Sequence, residues 1–296
     1  MNEKNKTKGI ICTLIGGICW GFSGTCGQYL FNYKNIESGW LVMVRMICAG
    51  IILITINLMK RDNHLKDIWK EKKDVIRLIL FAVCGLLISQ YTYLTAIYYS
   101  NAGTATVLQN LNPVMIMLLV CIIGKRLPNK IETLCIVLAV SGTFLIATHG
   151  NLNTLSISKE GLFWGIGCAV GAVFYSLLPG KIIEKYGSMV VTGYAMLIGG
   201  ISFALISGYW KLKVNLDMGT ILGVLAITII GTAMAYTLYL KGVSEIGPVK
   251  ASMLASIEPV AATLFSFLWM NTKFAFIDLL GFGFILTTVF LLSKKS

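Results

Sequence analysis

The sequence predicts an all-α integral membrane protein: ten transmembrane helices in two inverted five-helix repeats, with both termini in the cytoplasm. Three observations predict it. The 296 residues are 56% apolar and only 13% charged, with a mean hydropathy of +0.78, whereas soluble domains carry about 25% charged residues. Ten apolar runs approach the roughly 20 residues that a membrane helix needs. Lys and Arg crowd alternate connections, and one run in each half carries a proline at matching depth.

The runs lie at about 9–29, 37–58, 76–99, 104–123, 131–149, 160–178, 188–208, 219–240, 250–269 and 274–292. The first follows Lys4, Lys6 and Lys8, as a secretory signal would. It has no evident small-residue cleavage site, and nine more runs follow, so it reads as a retained first helix. Connections are short, such as Ser100 to Gly103 and Leu127 to Lys130. The longest polar stretch, Lys60 to Asp74, mixes both signs of charge and reads as including a short surface helix. No segment has room for a soluble domain.

With the N-terminus placed in the cytoplasm, nineteen of the 25 Lys and Arg residues fall on inner segments. Only Lys34, Lys159, Lys211, Lys213 and Lys273 fall on outer ones, and Arg45 lies within the second span. This asymmetry orients both termini inward. It also accounts for the net charge of +12 without nucleic acid, for which no basic stripe or aromatic-basic motif is present.

Eight cysteines, Cys12, Cys19, Cys26, Cys48, Cys84, Cys121, Cys135 and Cys168, sit in apolar runs without a CxxC pair. They read as small hydrophobes, neither disulfides nor metal ligands. His64 and His149 are far apart in sequence and suggest no zinc pattern. The glycine pairs Gly16-Gly17 and Gly199-Gly200 read as close helix approaches. None is followed by Lys-Ser or Lys-Thr at Walker spacing, which argues against ATP-driven transport. No cofactor and no metal are expected.

Laying Pro113 on Pro259 aligns Tyr93 with Tyr239, Ala105 with Ala251, Thr106 with Ser252, Leu108 with Leu254 and Asn112 with Glu258. The first runs of the two halves align Gly9 with Gly161 and Phe22 with Phe174. Residues 1–150 and 151–296 thus read as two copies of one unit. Five spans per unit force the second copy into the opposite orientation. Inverted repeats place a site near the midplane, at discontinuous helices in matching positions.

The motifs are Ala102-Gly103-Thr104-Ala105 leading to Asn112-Pro113, and Gly247-Pro248-Val249-Lys250-Ala251 leading to Glu258-Pro259. With the opening Gly9…Trp20-Gly21 and Arg45, they resemble the EamA-type family of the drug/metabolite transporter superfamily. The resemblance covers nearly the whole chain. It implies a secondary transporter of small metabolites. In one respect the chain departs from it: where such proteins often carry Gly-Glu after each broken helix, Gly124-Lys125 and Met270-Asn271 stand here. No role of that acidic group carries over.

Glu258 is the leading candidate for chemistry. A carboxylate in an apolar run is costly and faces a cavity or a partner. It suits pairing with a cationic substrate, and burial, which disfavours the charged form, suits proton uptake during transport. The alternative is that it bonds backbone freed by Pro259. The helix breaks are placed at Pro113 and Pro259, since proline removes a backbone donor. Gln109, Asn110 and Asn112 read either as ligand-orienting amides or as interhelical hydrogen-bonding groups. Asn110, one turn from Thr106, is the one assigned to the cavity.

Trp20 lies mid-span, away from the interfacial belt that explains Trp40, Trp69, Trp210 and Trp269. With Gln90, Tyr91, Tyr175 and Tyr236 it forms a candidate aromatic-polar pocket, suited to amines by cation–π attraction and to aromatic metabolites by stacking. Ordinary interhelical packing is the alternative for each. Arg45 reads either as a contact for a substrate carboxylate or as a side chain that snorkels or pairs with carbonyls.

The expected function is secondary active transport of a small polar metabolite, an amino acid or organic amine, across the cytoplasmic membrane by alternating access. Export or exchange, with coupling to protons through Glu258, fits best. The expected partners are the small-molecule substrate and the bilayer, with the chain acting as a monomer or homodimer and without nucleic acid. A lipid or lipid-precursor flippase is the alternative. A membrane-embedded enzyme is less favoured, because Glu258 is the one clear mid-span acid and no histidine accompanies it.

Overall fold

The computed structural model describes residues 3–60, 64–148, 157–246, 251 and 254–293. Gly247-Pro248-Val249-Lys250, Ser252 and His149 lie outside the described residues. Among those described there is helix and connection but no strand. In hydrocarbon each backbone N–H and C=O must be satisfied within its own segment, which an α-helix achieves.

The helices are α1 (Glu3–Lys34), α2 (Ser38–Met59), α3 (Lys72–Tyr99), α4 (Ala102–Gln109), α5 (Asn112–Ile123), α6 (Lys130–Thr148), α7 (Lys159–Leu177), α8 (Ser188–Ser207), α9 (Met218–Val243), α10 (Ile257–Met270) and α11 (Phe276–Ser293). Single short helices, His64–Asp67 and Gly180–Tyr186, lie in the connections before α3 and after α7. Among the described residues, eight helical stretches are long and apolar enough to cross a membrane, counting α4 and α5 together, and α10 and α11 are shorter apolar helices. The protein is therefore a multi-pass membrane protein.

Several boundaries differ from the sequence expectation. α1 runs on to Lys34, because Gln28 and Lys34 find polar partners on neighbouring helices. α3 starts at Lys72, where Asp74 is held by Lys185 and Arg77. The run expected over 250–269 is interrupted: residues 254 and 255 are helical, Ser256 turns, and α10 begins at Ile257. Its partner is interrupted at Asn110-Leu111, between α4 and α5. Both interruptions begin three residues before a proline.

Two further irregularities match. α3 contains a wide π-helical turn over Phe81–Leu87, and α9 contains one over Ala226–Met234. The register that lays Pro113 on Pro259 lays the first on 227–233. Wide turns of this kind cost regular hydrogen-bond geometry and often mark functional sites.

Packing obeys the same exchange of halves. α1 packs on α9 and α10, and α7 packs on α3 and α4. α2 pairs with α8, α6 with α11, and α4 with α10. Small residues allow the closest approaches. A Cβ on Gly142 of α6 would sit 2.8 Å from the carbonyl oxygen of Gly281 in α11. The larger core gathers Leu30, Leu41, Met46, Phe81, Leu86 and Leu94, and a second one joins Leu108, Cys135, Ile146 and Ile285. Ile122, Ile123, Leu205, Ile206 and Leu268 are exposed on the outside, as a lipid-facing surface requires. The eight cysteines are free thiols, and Cys48 and Cys84 are the half-buried pair among them.

Candidate functional site

The two interrupted spans meet a central cavity of about 200 Å³. Its walls are Trp20 of α1, Arg45 of α2, Ser89, Gln90 and Tyr93 of α3, Gln109 of α4, Asn110, Asn112 of α5, Ala172, Tyr175 and Ser176 of α7, Tyr236 of α9 and Glu258 of α10. The cavity draws on both halves, and on the residues that flank both breaks. On α7 it touches the last two turns before Leu177, so it is displaced toward that end of the bundle.

Glu258 occupies the first turn of α10, directly after the Ser256 turn. A carboxylate at a helix N-terminus is favoured by the helix dipole. Its side chain makes no hydrogen bond to backbone and no ion pair among the described residues, and it borders the cavity. Thr263 instead donates to the Pro259 carbonyl at 2.8 Å.

Arg45 is only 5% exposed. It does not snorkel: its Nε donates to the Thr232 hydroxyl at 3.3 Å, beside the wide turn of α9. Arg45 and Glu258 share the cavity, yet no ion pair joins them among the described residues.

The aromatic wall is built by edge contact. Trp20 meets Tyr236 at 5.4 Å and 77°, and Tyr239 at 5.1 Å. The Tyr175 hydroxyl donates to that of Tyr236 at 3.5 Å, a long contact. Tyr93 and Thr106 exchange a hydroxyl hydrogen bond of 3.1 Å, and Thr106 donates to the Ala102 carbonyl. Asn110 donates its amide to the Thr106 carbonyl at 2.8 Å, so it both caps the interrupted helix and borders the cavity. The Gln90 Oε1 is buried without a hydrogen-bond partner among the described residues.

Six of the seven residues singled out from sequence, Trp20, Gln90, Asn110, Tyr175, Tyr236 and Glu258, line this one cavity. Tyr91 does not. It packs against Trp164 and Phe203 at 5.5 and 5.3 Å. Gln90 and Tyr93 are three residues apart and share a helix face, which turns Tyr91 aside. Ser89 and Ser176 line the cavity as well, and only their adjacency to Gln90 and Tyr175 hints at it.

Away from the cavity, the opposite end of the bundle is tied by Gln28. This 3% exposed side chain donates to Thr272 at 2.9 Å and accepts from the Ala102 amide and the Ser266 hydroxyl at 3.0 and 3.1 Å. It joins α1, the start of α4, the end of α10 and the connection to α11.

The model of the EamA-like transporter family matches residues 7–148 and again 159–294. The uncharacterized inner membrane transporter YicL of Salmonella typhimurium is 39% identical over 291 residues, covering 98% of this chain and 96% of the relative. The uncharacterized transporter YyaM of Bacillus subtilis is 24% identical over 267 residues, covering 87% and 85%. A solved structure, described only as a crystal structure of protein, superposes with a TM-score of 0.62 at 14% identity over 100% of this chain and 99% of that one. That last likeness concerns the fold.

Proposed function

Because the chain belongs to the EamA-like transporter family, we propose that it is a secondary active transporter of an amino acid or organic amine, working by alternating access in the cytoplasmic membrane. In this reading ten spans form two inverted repeats with both termini inside. The cargo binds in the central cavity and leaves by export or exchange. Glu258 holds the cargo's ammonium group and takes up the coupling proton.

One observation carries the reading. Glu258 and Arg45, opposite in charge, border one cavity inside the spans without pairing to each other. Charged groups in a membrane interior normally neutralise one another. A cargo with an ammonium group satisfies Glu258, and one that also carries a carboxylate satisfies Arg45. Trp20, Tyr175 and Tyr236 supply faces for a cation, and Gln90 Oε1 supplies an acceptor for N–H. The cavity's volume suits a single small metabolite.

A second reading, movement of a lipid or lipid precursor, is favoured by a separate apolar groove of about 490 Å³. It is lined by Pro259, Val260, Leu264, Phe267, Phe282 and Leu286 between α10 and α11. The groove holds no charge, and it does not engage Glu258 or Arg45.

The test is thermal stability of the purified protein against amino acids, amines, nucleosides, sugars and lipid-like compounds, repeated on Glu258→Gln. A ligand at 100 times its Kd stabilises by about 2.7 kcal/mol. Stabilisation by amino acids or amines that is lost in the variant is the expected result. Stabilisation by lipid-like compounds alone would favour the second reading.

A further inference from the structure

Two lysine–carboxylate ion pairs lie at opposite ends of the bundle, and they are built alike. At one end Lys34, the last residue of α1, bonds Asp217 at 2.6 Å. Asp217 is the N-cap of α9 and also accepts from the Thr220 amide at 2.8 Å. At the other end Lys185, in the short helix after α7, bonds Glu71 at 2.7 Å and Asp74 at 2.9 Å. Glu71 is the residue at the N-cap of α3. The proline register lays Glu71 on Asp217, and the register of Gly9 on Gly161 lays Lys34 one residue from Lys185. Each pair therefore joins the end of one half's first helix, or the short helix that follows it, to the N-cap residue of the other half's third helix.

The ends are far apart. α2 begins just after Lys34 and ends just before the segment that leads to Glu71. Its 22 residues span about 33 Å at 1.5 Å per residue. α1, which ends at Lys34, and α7, which leads into the short helix of Lys185, both line the cavity.

The two pairs differ in strength. Lys34–Asp217 is a single ion pair, beside the Tyr29 ring at 6.0 Å from Lys34 Nζ, with side chains 22% and 42% exposed. At the other end the Asp74 side chain is 5% exposed and also accepts from Arg77 and from the Tyr186 hydroxyl at 2.8 Å. A single partly exposed pair is weak and screened by salt, whereas the buried Asp74 is held by several partners at once.

We propose that the two ion pairs are matched latches, one at each end of the bundle that holds the cavity, and that the single Lys34–Asp217 latch is the one that releases first. This rests on the alternating-access reading above. With the Lys34 latch open, the tail of α1 swings from α9 and the cavity gains access from that face. The Asp74–Lys185 network stays closed longer and holds the other end shut meanwhile.

The experiment uses the full chain with Cys48→Ser and Cys84→Ser and a Ser176→Cys reporter in the cavity wall. A membrane-impermeant maleimide is applied to right-side-out and to inside-out vesicles. Lys34→Ala and Asp217→Asn each raise the labelling rate from the Lys34 face, by about two- to fivefold for the loss of one exposed pair, and lower it from the opposite face. High salt reproduces this on the wild-type pair, and Lys185→Ala shifts access the other way. The reversed pair, Lys34→Asp with Asp217→Lys, restores the starting rates and separates latch loss from misfolding. If the reporter's rates differ between faces but no latch variant moves them, or if all variants raise both together, the latch assignment is overturned and the transport reading stands. If the reporter reacts equally from both faces in every protein, alternating access itself fails and the latches with it.

Discussion

Arg45 and Glu258 border the same intramembrane cavity from α2 and α10 without bonding each other. Each is thus available to a third group. Removing either charge leaves the other without its counter-charge inside the spans, so the effects of the two substitutions are not additive. Glu258→Gln is expected to lower transport in proteoliposomes at least tenfold, the loss of about one charge-assisted hydrogen bond, and to flatten its pH dependence, while membrane insertion is retained. Unchanged rate and pH profile would remove Glu258 from the mechanism. Arg45→Gln is expected to weaken amino acids more than the matching amines, as read by competition binding.

The Gln28 junction gives a stability prediction. Gln28→Ala leaves the Ala102 amide and the Ser266 hydroxyl without their acceptor in a buried place. Each unsatisfied buried group costs about 1–3 kcal/mol. A clear fall in Tm in detergent is expected, with Gln28→Glu falling less because it keeps the acceptor oxygen.

Helix contact at the second core is tested by a pair of glycines in or facing α11. Gly142→Leu pushes a side chain toward the Gly281 carbonyl and is expected to cost about 1–3 kcal/mol by overpacking. Gly283→Ala meets nothing within 4 Å and is expected to leave the Tm unchanged or slightly raised, since alanine favours helix over glycine.

Asp217 supplies a pH prediction. The Lys34 hydrogen bond and the Thr220 amide hold its carboxyl at about 2, below the ordinary value of about 3.9 for an unfolded aspartate. A depressed folded value gives stability that is fully present above the unfolded value and is lost as pH falls through the folded one. The Tm difference between wild type and Asp217→Asn is therefore expected to be constant above about pH 5 and to shrink between pH 4 and 2. A constant difference throughout would show that the latch contributes nothing through ionisation.

Topology is tested by single cysteines at Lys66 and Lys213. Impermeant reagents are expected to label them from opposite sides of the membrane. Same-side labelling would break the inverted-repeat reading at its root.

Much of the architecture was legible in the residues because hydrocarbon imposes one simple demand. Apolar runs of span length become helices, and Pro113 and Pro259 locate the two interruptions within three residues. The cavity was legible through its costs: Trp20 away from its belt and Glu258 in an apolar run both stood out. What stayed hidden depends on helix phase and on distant partners. Nothing in Phe81-Ala82-Val83-Cys84-Gly85-Leu86-Leu87 announces a wide turn, since no proline or charge marks it. Arg45 looked able to snorkel until Thr232, from the other half, was placed beside its Nε. Tyr91 and Tyr93 are alike in type, and only the face set by Gln90 separates the one that borders the cavity from the one that packs on Trp164.

The paired wide turns carry one more consequence. Each accommodates an extra residue, and in a regular helix one residue is about 100° of rotation. The turn at Phe81–Leu87 therefore sets the azimuth of Gln90 and Tyr93 relative to the start of α3, and that at Ala226–Met234 does the same for Tyr236. Making either turn regular without a deletion would rotate those side chains by about that angle, out of the cavity, whereas deleting one residue would restore a regular ladder with them still in place. The irregular turns act as phase shifters: they let the ends of α3 and α9 stay docked by Glu71 and Asp217 while their middles aim polar groups inward.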